Sequence, residues 1–453
     1  MSDYLLYGIL VVCVLASIFA GRRAALYVAA IMMPMTQSMP TPVPLVSVAT
    51  NLLLVALMFL RFVHAKGRKE RPPLPLRTPL KLMIGMILIG LAIRGVTQLQ
   101  GHNFVMPFTE AFKNTWYWIT PFVLFWLVYG LVADETEARR VILCAQLSMA
   151  LECLITIPEV LQYGRASAHL SEPNQAGTYF ASASSFFLAS FLMGRDRRKW
   201  LYLVGWVVGT NAVFNSLSRG AMVASALTGA VVALLFFLNP KTAMATKVFF
   251  VALVVFAVAN FALFVPAKVV DRVMLTFGGS NVETVDPNKL DVSSEERLLY
   301  WSIAIELFKA GPYGYGVFTF PEMMYAYNTQ DERKAAHNIY LQVLVELGIQ
   351  GLIALLILVF SVLLKLFRLY AKGRTLEQRS LALALFGWWL AHSAAHFLVN
   401  SFFLVLVTGQ FWIMLACLLT MDRLSGEAEA ANSAAQGAAI QGKGRLQPAP
   451  ARS

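Results

Sequence analysis

The sequence predicts an all-α, polytopic membrane protein with about twelve transmembrane helices. Of its 453 residues, 58% are hydrophobic and 14% are charged, and the mean hydropathy is +0.63. Soluble domains carry about 25% charged residues, so this chain has too few polar side chains to cover a water-soluble globule of its size. The composition excludes a soluble enzyme and favours a chain that crosses a lipid bilayer several times.

Long apolar runs follow one another along most of the chain. A helix needs about 20 apolar residues to cross about 30 Å of hydrocarbon, and the sequence contains thirteen candidates. Two of them, 24–39 and 201–214, are short and interrupted, which leaves a working count of twelve, give or take one. The candidates are 4–20, 24–39, 44–63, 80–97, 114–132, 141–160, 175–193, 201–214, 221–238, 248–266, 340–364, 380–398 and 402–420.

Basic residues predict how the spans are oriented. Lys and Arg collect in 61–81, 194–199 and 365–379, and alternate counting of the spans puts these three segments on one face, which we expect to be cytoplasmic. The formal charge of +12, from 37 basic and 25 acidic residues, then reflects topology and contact with lipid headgroups rather than nucleic-acid binding. The tail from Ser425 to Ser453 is rich in Ala, Gly, Gln and Pro and is expected to be disordered.

The chain divides into four parts. They are transmembrane helices 1–10 with basic cytoplasmic loops in 1–266, a large extracytoplasmic loop in 267–339, C-terminal transmembrane helices in 340–420, and a disordered cytoplasmic tail in 421–453. The loop carries seven basic and ten acidic residues, a net charge of −3. Within it, Ser294 opens an amphipathic run through Lys309, so we expect a folded helical cap over the bundle.

The dipeptide His337-Asn338 lies where the loop ends and the next span begins. At a helix N-terminus, backbone N–H groups and the helix dipole favour anions and lower the pKa of a histidine, which leaves a neutral base near pH 7. His337 is therefore a candidate general base. The alternative is an interfacial histidine followed by Asn338 as an N-cap.

Four arginines on the outer face are candidates for binding an anion. Arg219 lies between Ser218 and Gly220 near the edge of the hydrocarbon, where an arginine needs a partner or must reach the lipid surface. A diphosphate is such a partner, because a guanidinium group binds phosphate oxygens through two hydrogen bonds. Anchoring to lipid phosphate is the alternative. The further cations on this face are Arg165, Arg272 and Arg297.

No metal site or cofactor is expected. The sequence lacks a Walker motif, a GxGxxG sequence after a strand, an HExxH motif and an Asp-x-Asp pair. His392 and His396 are spaced to share a helix face, but without a neighbouring carboxylate or cysteine we favour packing over half a metal site. Glu152 is an intramembrane acid, either functional or a neutral, hydrogen-bonded structural residue.

Several motifs together resemble the bacterial O-antigen ligase and O-antigen polymerase superfamily. They are Ser218–Ala221 (SRGA) after the eighth span, Arg297–Trp301 (RLLYW) in the large loop, and HN-x-YL-x₄-E-x-G-x₂-G from His337 to Gly351. The likeness covers about residues 170–420 at the level of motifs, and the remainder only in its pattern of spans. It implies a GT-C-like glycosyltransferase in the bacterial inner membrane, with an active site that faces the periplasm.

The resemblance also implies transfer of a glycan from undecaprenyl diphosphate to an acceptor hydroxyl. The acceptor is the lipid A-core oligosaccharide for a ligase, the growing lipid-linked glycan for a polymerase, and a Ser or Thr for a protein O-oligosaccharyltransferase. His337 is then catalytic, and Arg219 and Arg297 lie near the diphosphate. The remaining candidates are Arg272 as a third donor-binding residue, and Arg165, Asn338, Ser218 and Tyr300 as supporting residues.

An O-antigen ligase is the favoured branch. The Arg-x₁₀-Gly spacing associated with some polymerases is missed by one residue from Arg165 to Gly177 and from Arg219 to Gly229, and no extra C-terminal region of the kind frequent in protein-glycosylating members is expected. The expected reaction is metal-independent and inverting, with His337 removing the acceptor proton and arginines stabilising the leaving diphosphate. A lipid or solute transporter is the rival from another class, although no internal repeat is apparent. The sugar and the oligomeric state stay open.

Overall fold

The computed structural model describes residues 20–34, 54–61, 73–100, 106–170, 172–239, 244–259, 292–327 and 335–444, together with residues 12, 15, 63 and 270. The regular elements in these residues are helices, and none of the described residues forms a strand. The helices are α1 (Arg22–Met32), α2 (Arg77–Leu99), α3 (Phe108–Leu131), α4 (Glu135–Tyr163), α5 (Pro173–Met193), α6 (Lys199–Asn215), α7 (Arg219–Leu238), α8 (Met244–Ala259), α9 (Val292–Ala310), α10 (Phe320–Tyr327), α11 (Ile339–Glu346), α12 (Gly348–Lys372), α13 (Leu376–Ala395) and α14 (Val405–Gly444).

Among the described residues, six helices are long and apolar enough to cross a membrane: α2, α4, α5, α7, α12 and α14. The all-helical, multi-pass membrane architecture is therefore confirmed, whereas the count of twelve spans is not. The predicted spans 4–20 and 44–63 lie partly outside the described residues, and Arg272 lies outside them altogether. The run 201–214 forms α6, whose 17 residues are fewer than the roughly 20 that a full crossing needs.

Helix α5 runs through the centre of the bundle, and each of its residues from Ala176 through Met193 is buried. Small residues allow this, because they let helix backbones approach closely inside a membrane. Gly209 of α6 packs against Ser184, and Gly387 of α13 packs against Ser185. The Ser185 hydroxyl donates to the Ala181 carbonyl oxygen one turn back (2.8 Å), so this polar side chain is satisfied within its own helix.

The predicted span 340–364 has the wrong bounds, because the chain breaks into α11 and α12 at Leu347–Gly348. Gly348 has a φ of +72° and its backbone packs against Tyr313. Gly314, with a φ of +92°, approaches so closely that an added Cβ would lie 2.5 Å from the Gly348 nitrogen. The apolar pattern of the sequence continues through the break and gives no sign of it. The break itself is possible because the two glycines face each other. Helix α11 packs against α9 and α10, and α12 alone is long enough to cross the membrane.

The prediction of a disordered tail is wrong for residues 425–444, which continue α14 as a helix through Gly444. Alanine, the strongest helix former, recurs throughout this stretch. Arg374, from the turn before α13, holds the extension through Asp422 (2.9 Å) and Glu429 (2.8 Å). Composition alone indicated disorder, while the helix propensity of alanine and these tertiary contacts favour order. Residues 445–453 lie outside the described part of the chain.

The bundle has two ends with different polar groups. Arg139, near the start of α4, pairs with Glu377, near the start of α13 (2.9 Å). Since a short loop joins α4 to α5 at the far end, the basic segment 194–199 after α5 returns to the same end as Arg139. We call this the basic end, because it gathers segments that the charge pattern assigned to one face. The other end, where α5 and α7 begin, is called the pocket end.

Candidate functional site

A cavity of ≈ 110 Å³ lies at the pocket end, where the α4–α5 loop, the start of α7, the cap helix α9 and the segment after α13 meet. Its polar lining is Arg165, Asn174, Ser218, Arg219 and Arg297. Three of the predicted arginines, from distant parts of the sequence, therefore line one space, which we call the arginine pocket.

Arg219 is the first residue of α7, and Ser218 precedes the helix in an extended conformation. Gly220 packs against the segment after α13, because an added Cβ would lie 3.0 Å from the Leu398 Cβ. Gly177 of α5 packs against the same turn, since its added Cβ would lie 2.8 Å from the Ser218 Cβ. The Ser-Arg-Gly triplet thus provides two small residues where helices approach closely, and one arginine that lines the pocket.

Arg165, from the α4–α5 loop, is held at two points. Its Nε donates to the Ser216 carbonyl oxygen (2.7 Å) and its Nη2 donates to the Asn174 Oδ1 (3.0 Å). The next residue, Ala166, donates its N–H to the Asn215 carbonyl oxygen (2.9 Å). These bonds connect the loop to the end of α6 and the start of α5, and they orient the guanidinium group.

Arg297 comes from α9, a helix that contains the predicted run from Ser294 through Lys309. Tyr300 is 2% exposed and lies in a small apolar core that α9 shares with α10 and α11. This residue therefore packs the cap and does not line the arginine pocket. Trp301 donates its Nε1–H to the carbonyl oxygen of Ala336 (3.1 Å), the residue directly before His337. Helix α9 thus connects one wall of the pocket to the histidine.

Asn338 is the N-cap of α11, which is the alternative that the sequence left open for this residue. Its Oδ1 accepts hydrogen bonds from the N–H groups of Tyr340 (3.0 Å) and Leu341 (3.2 Å). His337 directly precedes this N-cap residue. It is half-buried and has a φ of +48°. This left-handed conformation, uncommon for a residue with a Cβ, turns the chain sharply between the cap and α11.

His337 is not among the residues that line the arginine pocket, and its catalytic role stays a prediction. The two features share a neighbour in the segment after α13. Ile339 donates its N–H to the His396 carbonyl oxygen (3.0 Å), and Leu398 and Val399, a few residues later, line the pocket. One short segment therefore contacts both the start of α11 and the pocket.

His392 and His396 form hydrogen bonds that stabilise this segment. His392 Nε2 contacts the Phe402 carbonyl oxygen (3.2 Å), and His396 contacts the His392 carbonyl oxygen through Nδ1 (2.6 Å) and the Ser401 hydroxyl through Nε2 (3.1 Å). Both imidazoles are fully buried. These contacts fit the packing alternative rather than half a metal site.

Glu152 is paired with His169, a residue that the sequence analysis did not select. The His169 Nδ1–H donates to the Glu152 Oε1 (2.9 Å), and this hydrogen bond raises the pKa of His169 above its ordinary value. Glu152 is fully buried in α4, and His169 belongs to the loop that carries Arg165. No local pattern connects two residues 17 positions apart, so the pairing had no signal in the sequence.

Two further buried charged residues, Arg94 and Glu346, were also missed, although both bond to the same loop. Arg94 donates to the carbonyl oxygens of Val317 (3.0 Å), Phe318 (2.8 Å) and Met106 (2.8 Å). Glu346 accepts from the Phe318 N–H (2.9 Å), and both side chains are 0% exposed. The side chains of Arg94 in α2 and Glu346 in α11 thus hold the loop before α10 between the two helices. An arginine isolated in an apolar run was the available signal for Arg94.

Residues 204–356 match the model of the family described as O-antigen ligase. The match contains Arg219, Arg297, His337 and Glu346, and it begins after Arg165. No curated protein matches the chain. From residue 204 to residue 356, this multi-pass membrane protein is therefore similar to the O-antigen ligase family, which confirms the resemblance that its motifs indicate.

Proposed function

We propose that the protein is a glycosyltransferase that transfers a glycan from undecaprenyl diphosphate to an acceptor hydroxyl. The acceptor is the lipid A-core oligosaccharide, so the activity is that of an O-antigen ligase. The observation that carries the proposal is the arginine pocket, in which three guanidinium groups from distant parts of the sequence line one cavity. The match to the family described as O-antigen ligase supports a lipid-linked glycan as donor.

The arginine pocket suits a diphosphate on chemical grounds. Each guanidinium group offers paired N–H donors that fit two phosphate oxygens. The start of α7, at Arg219, adds backbone N–H groups and the positive end of a helix dipole. When the glycan leaves the carrier, negative charge accumulates on the diphosphate, and donors already fixed around it stabilise that charge. The arginines thus supply the charge that a divalent ion supplies in other enzymes.

The reaction is a direct displacement. His337 removes the proton from the acceptor hydroxyl while the oxygen attacks the anomeric carbon of the first sugar. The bond from that carbon to the diphosphate oxygen breaks, and its electron pair leaves with the undecaprenyl diphosphate. Attack from the opposite side inverts the anomeric centre. General-base assistance of this kind contributes about 10²–10⁴-fold in rate.

The same proposal puts the protein in the bacterial inner membrane, with the pocket end facing the periplasm. The described Lys- and Arg-rich segments 194–199 and 365–379 lie at the basic end, as cytoplasmic loops do. Residues 267–339 then form the periplasmic loop, of which α9 and α10 are the described helices. The lipid tail of the donor lies among the membrane helices, so the diphosphate reaches the pocket from the membrane surface.

The test is transfer by the purified full chain. The protein receives a lipid-linked glycan together with lipid A-core, with more lipid-linked glycan, or with a Ser/Thr-rich acceptor protein. Consumption of lipid A-core supports the ligase. Consumption of either other acceptor instead assigns the protein to the polymerase or protein glycosyltransferase branch, and consumption of none overturns the proposed function.

Three variants test the site within the same assay. Arg219→Lys is expected to lose transfer, because a point charge does not replace a two-pronged donor, and His337→Ala is expected to lose it about 10²–10⁴-fold. Arg197→Ala, an exposed arginine at the basic end, is the matched control and should keep full activity. Normal transfer by His337→Ala removes the proposed base, and dependence on a divalent ion after EDTA treatment overturns the metal-independent mechanism.

A further inference from the structure

The α4–α5 loop, residues 164–170, is folded back against α4. Ala166 is 0% exposed and Leu170 is 1% exposed, although both belong to the connection between two membrane-spanning helices. Residues 167–169 between them are partly buried, and backbone N–H groups withdrawn from water need acceptors within the protein. In the second half of this loop, the acceptors are two carboxylates.

Glu152 and Glu159 of α4 accept hydrogen bonds from three consecutive residues of the loop. They are seven positions apart, which puts both on one face of the helix. Glu159 accepts from the Ser167 N–H (2.9 Å), the Ser167 hydroxyl (3.1 Å) and the Ala168 N–H (2.6 Å). Glu152 accepts from the His169 N–H (3.3 Å) and from its Nδ1–H (2.9 Å). The two carboxylates therefore bind the loop from the side that faces α4.

The loop needs this support because its backbone is strained. Ala168 has a φ of +49°, a left-handed conformation that residues with a Cβ rarely adopt. Hydrogen bonds from backbone N–H groups to carboxylates are charge-assisted and stronger than neutral ones. They hold Ala168 and both of its neighbours, which fixes one arrangement of the loop.

Arg165 stands at the other end of this loop and lines the arginine pocket. Its own bonds to Ser216 and Asn174 orient the guanidinium group, while the carboxylates fix the backbone a few residues later. Neither Glu152 nor Glu159 lines the pocket. Their negative charge is therefore directed at loop N–H groups and does not face an anion in the cavity.

We infer that Glu159, with Glu152 below it, is a positioning residue that holds Arg165 against the diphosphate of the lipid-linked donor. The inference rests on the proposed function, because it takes the diphosphate as the ligand of the pocket. Glu159 itself does not touch the substrate. Since Arg165 contributes to donor binding, loss of its position raises the KM for the donor more than it lowers kcat.

A double-mutant cycle separates positioning from simple stability. The purified full chain is assayed with a polyprenyl diphosphate-linked glycan as wild type, Glu159→Gln, Arg165→Ala and the combined variant, with KM and kcat measured separately. Arg165→Ala is expected to raise the donor KM by about 10- to 150-fold, the effect of hydrogen bonds to a charged group. Glu159→Gln is expected to raise it at least about twofold and to add nothing in the Arg165→Ala background.

Controls cover folding and charge. Glu172→Gln changes an exposed acid directly before α5, outside this loop, whose carboxylate accepts from Gln175. This variant should leave the donor KM unchanged. Ser167→Ala removes only one of the three donors to Glu159. It replaces Glu159→Gln in the cycle if that variant does not yield folded protein, and it should show the same coupling at smaller size.

The outcomes distinguish the inference from the proposed function. Equal effects of Glu159→Gln with and without Arg165 overturn the inference, because Glu159 then acts elsewhere. No effect of Arg165→Ala, together with a raised donor KM in Arg219→Ala, also overturns the inference but leaves the diphosphate pocket standing. No effect of either arginine substitution overturns the proposed function itself.

Discussion

Two clusters of charged side chains, one at each end of the bundle, differ in burial. At the pocket end, Arg94 and Glu346 are both 0% exposed and bond to the backbone of the loop before α10. At the basic end, Arg374 pairs with the side chains of Asp422 and Glu429 at a partly exposed surface. A buried charged group that loses its partners is costly, whereas an exposed ion pair contributes little. The first cluster therefore holds a loop in place, while the second connects the turn before α13 to α14 at the surface.

The largest effect is expected from Glu346→Ala. The substitution leaves the Phe318 and Phe320 N–H groups without their acceptor, and the Gln342 side-chain amide loses its bond to Glu346 as well. Each interior donor left unsatisfied costs about 1–3 kcal/mol, so the summed loss is the largest of these predictions. Thermal unfolding of the purified protein in detergent measures the loss.

The control for this prediction is Glu306→Ala. Glu306 pairs with Lys309 on an exposed face of α9, where its side chain is 62% exposed, and its removal should change stability by less than about 1 kcal/mol. If the two variants melt alike, the contrast between buried and exposed acids in this molecule is lost.

A smaller loss is expected from Gly316→Ala. Gly316 has a φ of +102°, and an added Cβ would lie 2.7 Å from the backbone nitrogen of Arg94. The substitution forces the loop away from α2, which costs about 1–3 kcal/mol. Gly85→Ala, in the same helix α2, is the matched control, because an added Cβ there meets nothing within 4 Å. It should be neutral or stabilising by up to about 1 kcal/mol, and unfolding curves of the two variants compare them directly.

The elements that the sequence predicts correctly are those with a local signal. Asn338 caps a helix, the alternative that its position before an apolar run left open. Arg219 starts α7, directly before the predicted span 221–238. The sequence puts Arg165, Arg219 and Arg297 on one outer face, and they line one cavity, although their part in binding a substrate stays a prediction.

The elements that the sequence does not predict depend on contacts between distant residues. Arg94 and Glu346 bond to the same loop from two different helices, and no periodicity tells which polar group inside an apolar run finds which partner. The break at Gly348 follows from close approach of another loop, since the apolar pattern passes through it unchanged. The helical tail depends on Arg374, whose partner Glu429 lies 55 positions away.

A pH-dependent effect is expected from His169. Its hydrogen bond to Glu152 raises its pKa in the folded protein above the ordinary value of 6.5. The folded state therefore binds this proton more tightly than the unfolded state, so the bond contributes fully below about pH 6.5 and its contribution is lost as pH rises through the raised pKa. The melting temperature of the wild type should fall more between pH 6.5 and 8.5 than that of His169→Gln. Parallel pH profiles of the two proteins contradict the assignment.

The smallest effect is expected from Glu429→Ala, at the basic end. Glu429 is 64% exposed and pairs with Arg374, which keeps Asp422 as a second partner (2.9 Å). Exposed pairs contribute about 0–1 kcal/mol and are weakened further by salt. The variant should unfold within about one degree of the wild type at 0.5 M salt, by thermal unfolding in the same detergent. A loss as large as that of Glu346→Ala would mean that the helical tail stabilises the whole bundle, and burial would then not be what separates the two ends.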